Sequence, residues 1–252
     1  MILLLHGVGL DRRMWSRCRL PGALALDLRG HGSAAPAPPD ITLAHLSADV
    51  ADRLAGPAHV VGFSLGALVA QQLAVTRPEL VRSLTLVSSV ADRSAEQSAA
   101  VAGRLAAAER DFPATVDTAI DRWMSLRWRA EEPDLADQLR ATMLGNDRQS
   151  YLACYRVFGT ADAQLWPALP RIEAPTLAIT GAEDPGSTPE MTRKLAEAIP
   201  TACAVVVPGA RHLLPLEQPA RLTDEILALT TEVEHGTTRP LHRGAMGGTG
   251  GR

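Results

Sequence analysis

The sequence predicts an α/β fold: a doubly wound, mostly parallel sheet of about six strands that carries a helical cap insertion. Three observations predict it. Short apolar runs rich in Val, Ile and Leu alternate with segments whose apolar residues recur at helical spacing. Glycine-rich loops follow those runs, as expected where strands end in a ligand-binding crevice. Between Val90 and Pro170 the strand signals vanish and helix formers dominate. The expected division is residues 1–89 and 171–234 for the core and 90–170 for the cap, with 235–252 a disordered tail rich in Gly, Thr and Arg.

Taken in order, Ile2-Leu3-Leu4-Leu5 reads as a central strand, apolar on both faces, ending in the loop His6-Gly7-Val8-Gly9. Asp11 to Arg19 is expected to form a short helix with Trp15 inward. A second strand, Ala23 to Leu28, runs into Arg29-Gly30-His31-Gly32-Ser33. Thr42 to Ala55 places Leu43, Leu46, Val50 and Leu54 at helical spacing, with Thr42 as N-cap and Gly56-Pro57 as stop. His59-Val60-Val61 is the third strand. It enters Gly62-Phe63-Ser64-Leu65-Gly66, a G-x-S-x-G turn, and Ala67 to Ala74 is a packed helix. Ser83 to Ser88 is a fourth strand, Thr176 to Thr180 a fifth and Ala204 to Val207 the last. Helices are expected at Pro189 to Ile199 and Leu222 to Val233.

Composition narrows the function. The chain has 252 residues, 46% hydrophobic, with formal net charge −3 and no long run of either sign, which argues against a nucleic-acid partner. Aromatics make up 4%, too few for a base-stacking platform. Cys18, Cys154 and Cys203 are far apart and odd in number, which fits a reducing cytoplasm better than a disulfide framework. The apolar start stops at His6-Gly7, too short for a signal peptide or a membrane span.

The G-x-S-x-G turn is the chemical centre. A serine hydroxyl is a poor nucleophile at neutral pH and needs a base, which in turn needs an orienting carboxylate. Gly181-Ala182-Glu183-Asp184-Pro185 follows the fifth strand and Pro208-Gly209-Ala210-Arg211-His212 the sixth. Ser64, Asp184 and His212 therefore arise at three strand ends, in the order nucleophile, acid, base. Glu183 and Asp92 are the reserve acids. An oxyanion hole is expected from two backbone N–H groups, that of Leu65 and one from the loop after the first strand, assigned to Val8. His6 and His31 read as structural hydrogen-bonders. No metal spacing is present.

These motifs together resemble the α/β-hydrolase superfamily over residues 2 to 232. Within it the chain is most similar to the 3-oxoadipate enol-lactonase group, through Gly9 to Trp15, Gly181 to Pro185 with Ser187-Thr188-Pro189, and the cap stretches Arg122-Trp123-Met124 and Tyr151 to Cys154. The resemblance implies a small-molecule ester or lactone substrate cleaved through an acyl-enzyme, no cofactor, no metal, no membrane or nucleic-acid partner, and a monomer or homodimer. Other chemistries of that fold remain as alternatives: carbon–carbon bond hydrolysis, a lyase reaction, or ligand reception without catalysis. Trp123 and Trp128 in the cap, with Arg12 and Arg13 beyond the oxyanion loop, are the candidate substrate contacts. Arg122, Arg127 and Arg129 add cap cations that could meet an acidic substrate. The superfamily usually opens with a β-hairpin ahead of the His-Gly strand, which this sequence lacks, so Ala23 to Leu28 is expected at a sheet edge.

Overall fold

A computed structural model describes residues 1–236. Six strands form one all-parallel sheet: β1 (Ile2–Leu5), β2 (Leu24–Leu26), β3 (Ala58–Phe63), β4 (Val81–Val87), β5 (Thr176–Gly181) and β6 (Ala202–Val207). Their spatial order is β2-β1-β3-β4-β5-β6. Helices α1 (Leu43–Ala51), α2 (Leu65–Thr76), α8 (Pro189–Ala198) and α10 (Pro219–His235), with the short α9 (Leu214–Glu217), accompany the sheet. Between β4 and β5 the chain is helical throughout its regular structure: α3 (Ala95–Arg110), α4 (Phe112–Trp123), α5 (Leu126–Glu131), α6 (Pro133–Leu144) and α7 (Arg148–Leu165), closed by a 3₁₀ segment over Trp166–Arg171.

Each element follows from local chemistry. β1, β3 and β5 are buried along their whole length, which is why they read as continuous apolar runs. Thr42 caps α1 through the His45 N–H, and Ser94 caps α3 with Gln97 returning the bond to Ser94 N–H. Proline sits in the first turn of α4, α6, α8, α9 and α10, where its missing N–H costs nothing.

The chain switches direction across the sheet between β1 and β3. β2 lies on one side of β1, and everything after β3 lies on the other. The loops leaving β1 and β3 therefore diverge, and a crevice opens at the carboxyl ends of these strands. Pairing Leu5 with Gly62, Phe63 with Val87 and Gly181 with Val207 keeps those ends level, so the loops after β1, β3, β4, β5 and β6 all emerge on one rim.

Several boundaries differ from expectation. The second strand is shorter than Ala23 to Leu28. Asp27 turns its carboxylate onto the Arg12 and Ser33 N–H groups, and the Leu28 N–H goes to His6, so both residues leave the ladder. β2 does form a sheet edge. Asp11 to Arg19 yields only one 3₁₀ turn, Arg12–Trp15, capped by the Asp11 carboxylate. The first long helix stops at Ala51 rather than Ala55. The closing helix is longer than Leu222 to Val233 and takes in His235, with left-handed Gly236 as its cap. The rest of the expected disordered tail, 237–252, lies outside the described residues.

Candidate active site

The turn between β3 and α2 is built around Ser64. Its φ of 52° and ψ of −110° are strained for a residue with a side chain, at a cost of about 1–3 kcal/mol. The surroundings hold it there. Ser64 N–H bonds Val87 O at 3.0 Å, and Ser64 O accepts from Ala67 N–H at 3.0 Å. The flanking glycines are dictated by space. A Cβ on Gly62 would lie 2.3 Å from Gly66 O, and one on Gly66 would lie 2.4 Å from Leu5 O. Backbone meets backbone at both contacts, so neither can yield. Leu65 begins α2, where the first N–H groups have no partner within the helix and the helix dipole is positive.

The loop after β1 is held by His6. Its Nε2 accepts the Leu28 N–H at 2.9 Å, so the proton must sit on Nδ1, which donates to Gly7 O at 2.8 Å. Burial pushes this imidazole below its ordinary pKa, and the neighbouring His31, edge-on at 5.0 Å, is pushed down to about 3, chiefly by burial. Both nitrogens of His6 are engaged, which leaves it no capacity as a base. Gly7 lies against the Phe63 ring, 2.8 Å from where a Cβ would stand, and Gly9 takes φ +78°. Between them Val8 faces the same cavity as Ser64.

At the ends of β5 and β6 the remaining pair meets. His212 Nδ1 lies 2.7 Å from Asp184 Oδ2. The other carboxylate oxygen, Oδ1, accepts the N–H groups of Gly186 at 2.8 Å and Ser187 at 2.9 Å. Burial would raise the Asp184 pKa, but His212 and these N–H donors outweigh it and hold the carboxyl below its usual value. An ionised Asp184 fixes the His212 proton on Nδ1 and leaves Nε2 as an acceptor. The ring is packed by Phe63 at 5.0 Å and stacked by Trp123 at 5.7 Å. Its backbone carbonyl accepts from Ser88 Oγ at 3.0 Å. Gly181 permits the approach, since a Cβ there would meet Ala210 O at 2.2 Å.

Ser64, His212, Asp184, Val8 and Trp123 thus line one cavity of about 120 Å³ beneath the helices α3, α4 and α7. Other expected residues stand elsewhere. Trp128 is buried in α5 and does not line the cavity. Arg12 is bound to Asp27 at 2.7 Å and to Ser33, and Arg13 grips Asp11, on a separate surface hollow bordered by α6. Both arginines are thus committed to carboxylates, on a hollow that Ser64 does not line. Arg127 and Arg129 pair with Glu131 and Asp121. Of the reserve acids, Glu183 is exposed, and Asp92 pairs with Lys194 at 2.9 Å rather than with His212.

The cavity also contains residues the sequence did not single out. Arg93, Arg104 and Tyr155 line it together with Arg122. Arg93 is buried and ion-paired with Asp162 at 2.8 Å, and it also donates to the carbonyls of Phe158 and Gly159. Its only sequence signal is position, six residues after β4 on the rim side. Among the described residues no group of three or more His, Cys, Asp or Glu side chains could hold a metal ion, and no helix is long and apolar enough to cross a membrane.

The family model described as "Alpha/beta hydrolase family" matches residues 2–225, so the chain belongs to the α/β-hydrolase family. It is an enzyme of that fold. It is 27% identical over 237 residues to an (E)-2-((N-methylformamido)methylene)succinate hydrolase of Acinetobacter baylyi, covering 90% of this chain and 89% of the relative. It is 32% identical over 228 residues to a pimeloyl-[acyl-carrier protein] methyl ester esterase of Chromobacterium violaceum, covering 84% and 86%. Among solved structures it superposes on the enol-lactonase of Burkholderia xenovorans LB400 with a TM-score of 0.83 and 28% identity, covering 92% of this chain and 91% of that one. The chain accordingly resembles the enol-lactonase group.

Proposed function

We propose that the protein hydrolyses a small-molecule carboxylic ester or lactone through an acyl-enzyme. The observation that carries the reading is the 2.7 Å bond from His212 to the buried Asp184, on one cavity with a serine held at φ 52°. His212 Nε2 takes the proton of Ser64 Oγ as the oxygen attacks the carbonyl carbon. The imidazolium so formed is stabilised by Asp184, and the proton passes to the departing alkoxide. The developing oxyanion is received by the N–H groups of Val8 and Leu65, aided by the positive end of α2. Water, activated by the same His212, then attacks the acyl carbon and frees Ser64. Residues 1–89 and 171–234 supply this chemistry, while residues 90–170 act as the cap that sets substrate choice. The names of the relatives, an enol-lactonase and a methyl ester esterase among them, agree with a substrate of this class.

The test is covalent. A fluorophosphonate probe should label the parent enzyme on Ser64, and Ser64→Ala should abolish both labelling and the pre-steady-state burst on 4-nitrophenyl acetate. Equal labelling of Ser64→Ala, or ester hydrolysis unchanged by that substitution, would refute the assignment.

A further inference from the structure

One donor assigned to the oxyanion hole sits on a pliable stretch of the rim. Gly7-Val8-Gly9-Leu10 closes a β-turn through Leu10 N–H to Gly7 O at 3.2 Å, and the φ of +78° at Gly9 is the value that the second central residue of a type II turn takes. Such a turn leaves the N–H of its first central residue outside the ring. Val8 N–H accordingly has no partner among the described residues. Glycine on both sides of Val8 gives the loop wide backbone freedom. A donor that must stand about 2.7–3.1 Å from an oxyanion needs an external hold.

Two side chains provide that hold. His6 Nδ1 donates to Gly7 O at 2.8 Å. Asn146, in the turn between α6 and α7, donates from Nδ2 to Gly9 O at 2.9 Å. The same amide reaches Thr142 O at 3.0 Å and Met143 O at 3.1 Å in the last turn of α6. All three partners are carbonyls, which only accept, so the amide must present its NH₂ to them. Asn146 thus joins the end of α6 to a loop 137 positions away in sequence. Packing follows the same line: a Cβ on Gly9 would stand 3.0 Å from the Tyr151 ring and 3.1 Å from Met143 Cε. Asn146 does not line the cavity of Ser64. It lies behind the turn, on the outer hollow of about 910 Å³ that Arg13 and Thr142 also border. Its route to the reacting atoms is therefore through Gly9.

Resting on the serine-hydrolase reading, we infer that Asn146 is a positioning residue for the oxyanion hole. The helical segment between β4 and β5 holds Val8 N–H in place through the Gly9 carbonyl, so the hole is complete only when that segment is seated on the turn. Without the Asn146 bond, the Gly9–Leu10 peptide is free to rotate. The closure from Leu10 N–H to Gly7 O, which sets the direction of Val8 N–H, then loosens with it.

The experiment is a double-mutant cycle on 4-nitrophenyl acetate. Val8→Pro deletes the donor while keeping the turn, because proline suits the first central position of a type II turn. It should lower kcat by about 10²–10³. Asn146→Ala should lower kcat by about tenfold or more with KM little changed, the scale of a misplaced group. Asn146→Asp, which turns an acceptor toward three carbonyls, should lose at least as much. Asn146→Gln, which keeps the amide on a longer stem, should recover part of the loss. The deciding result is the coupling: in the Val8→Pro background, Asn146→Ala should cost almost nothing further. Ser150→Ala is the control for a structural role. It removes another buried tether of the same segment, the bond from Ala37 N–H to Ser150 Oγ at 3.0 Å, and should lower Tm without changing kcat. Full kcat in Asn146→Ala, a change in KM alone, or losses that add in the double variant would overturn the inference. Fluorophosphonate labelling of Ser64 alongside such additive losses would leave the serine-hydrolase reading standing and remove Asn146 from it. Coupling between Val8 and Asn146 in an enzyme whose hydrolysis ignores Ser64→Ala would do the reverse.

Discussion

Replacing Asp184 by Asn tests the proposed catalytic machinery at its most specific joint. The two carboxylate oxygens have different neighbours. Oδ1 accepts two backbone N–H groups, from Gly186 and Ser187, while Oδ2 faces His212 Nδ1 at 2.7 Å and, at 3.3 Å, the hydroxyl of Thr180, which also donates to Ser187 O. An asparagine must choose. Placing its NH₂ at the Oδ1 position would set donor against two donors and leave buried N–H groups unpaired, at about 1–3 kcal/mol each. It will therefore keep its oxygen there and turn the NH₂ toward His212. Nδ1 must then accept, the ring proton moves to Nε2, and Nε2 can no longer take the proton of Ser64. The same exchange in serine proteases lowers kcat by about 10⁴, equivalent to about 5.4 kcal/mol of barrier. We expect a loss of that order for Asp184→Asn, with KM little changed, measured on 4-nitrophenyl acetate with folding checked by circular dichroism. Because the native carboxyl titrates below its usual value, it stays ionised across the working range, and the acid limb of the parent pH profile is set by another group. Asp92→Asn removes only the exposed pairing with Lys194 and should remain within a few-fold of the parent. An Asp184→Asn enzyme within tenfold of wild type, beside an inactive Asp92→Asn, would refute the reasoning.

Two further outcomes are expected. Gly66→Ala drives a methyl into the carbonyls of Leu5 and His6 and should destabilise the fold by more than about 4 kcal/mol, whereas Gly103→Ala, exposed within α3 with open space around it, should stabilise it by about 0.5–1 kcal/mol; urea unfolding of both variants checks the contrast, and a tolerated Gly66→Ala would contradict the packing described for the turn. Trp123→Ala should reorder the kcat/KM ranking of a series of acyl chain lengths because the ring faces the cavity and stacks on His212, whereas Trp128→Ala should lower stability by about 3–5 kcal/mol without changing the ranking; identical rankings in both would show that Trp123 does not touch substrate.

The sequence made the core legible where chemistry and backbone geometry coincide. Gly62 and Gly66 are visible as glycines because backbone contacts of 2.3 and 2.4 Å exclude every other residue, so the pattern around Ser64 reports a three-dimensional fact. The meeting of Asp184 with His212 was readable because each stands in the loop just after a strand, and parallel strands in register level their ends on one rim. Ion-pair partners are less visible. Nothing in Arg12-Arg13 announces that Asp27 and Asp11 will bind them, because these pairings depend on a 3₁₀ turn that replaced an expected helix. The helical segment between β4 and β5 was hardest. Trp123 and Trp128 are five residues apart and alike in sequence, yet α4 ends at the first and a new helix begins before the second, so they face different surroundings. Arg104 and Arg122 are eighteen positions apart on separate helices. Charge alone does not distinguish them from the paired arginines. What does so is the packing of α3 and α4, which brings the two guanidiniums to one wall where, among the described residues, neither meets a carboxylate, and that placement is a property only the folded chain possesses.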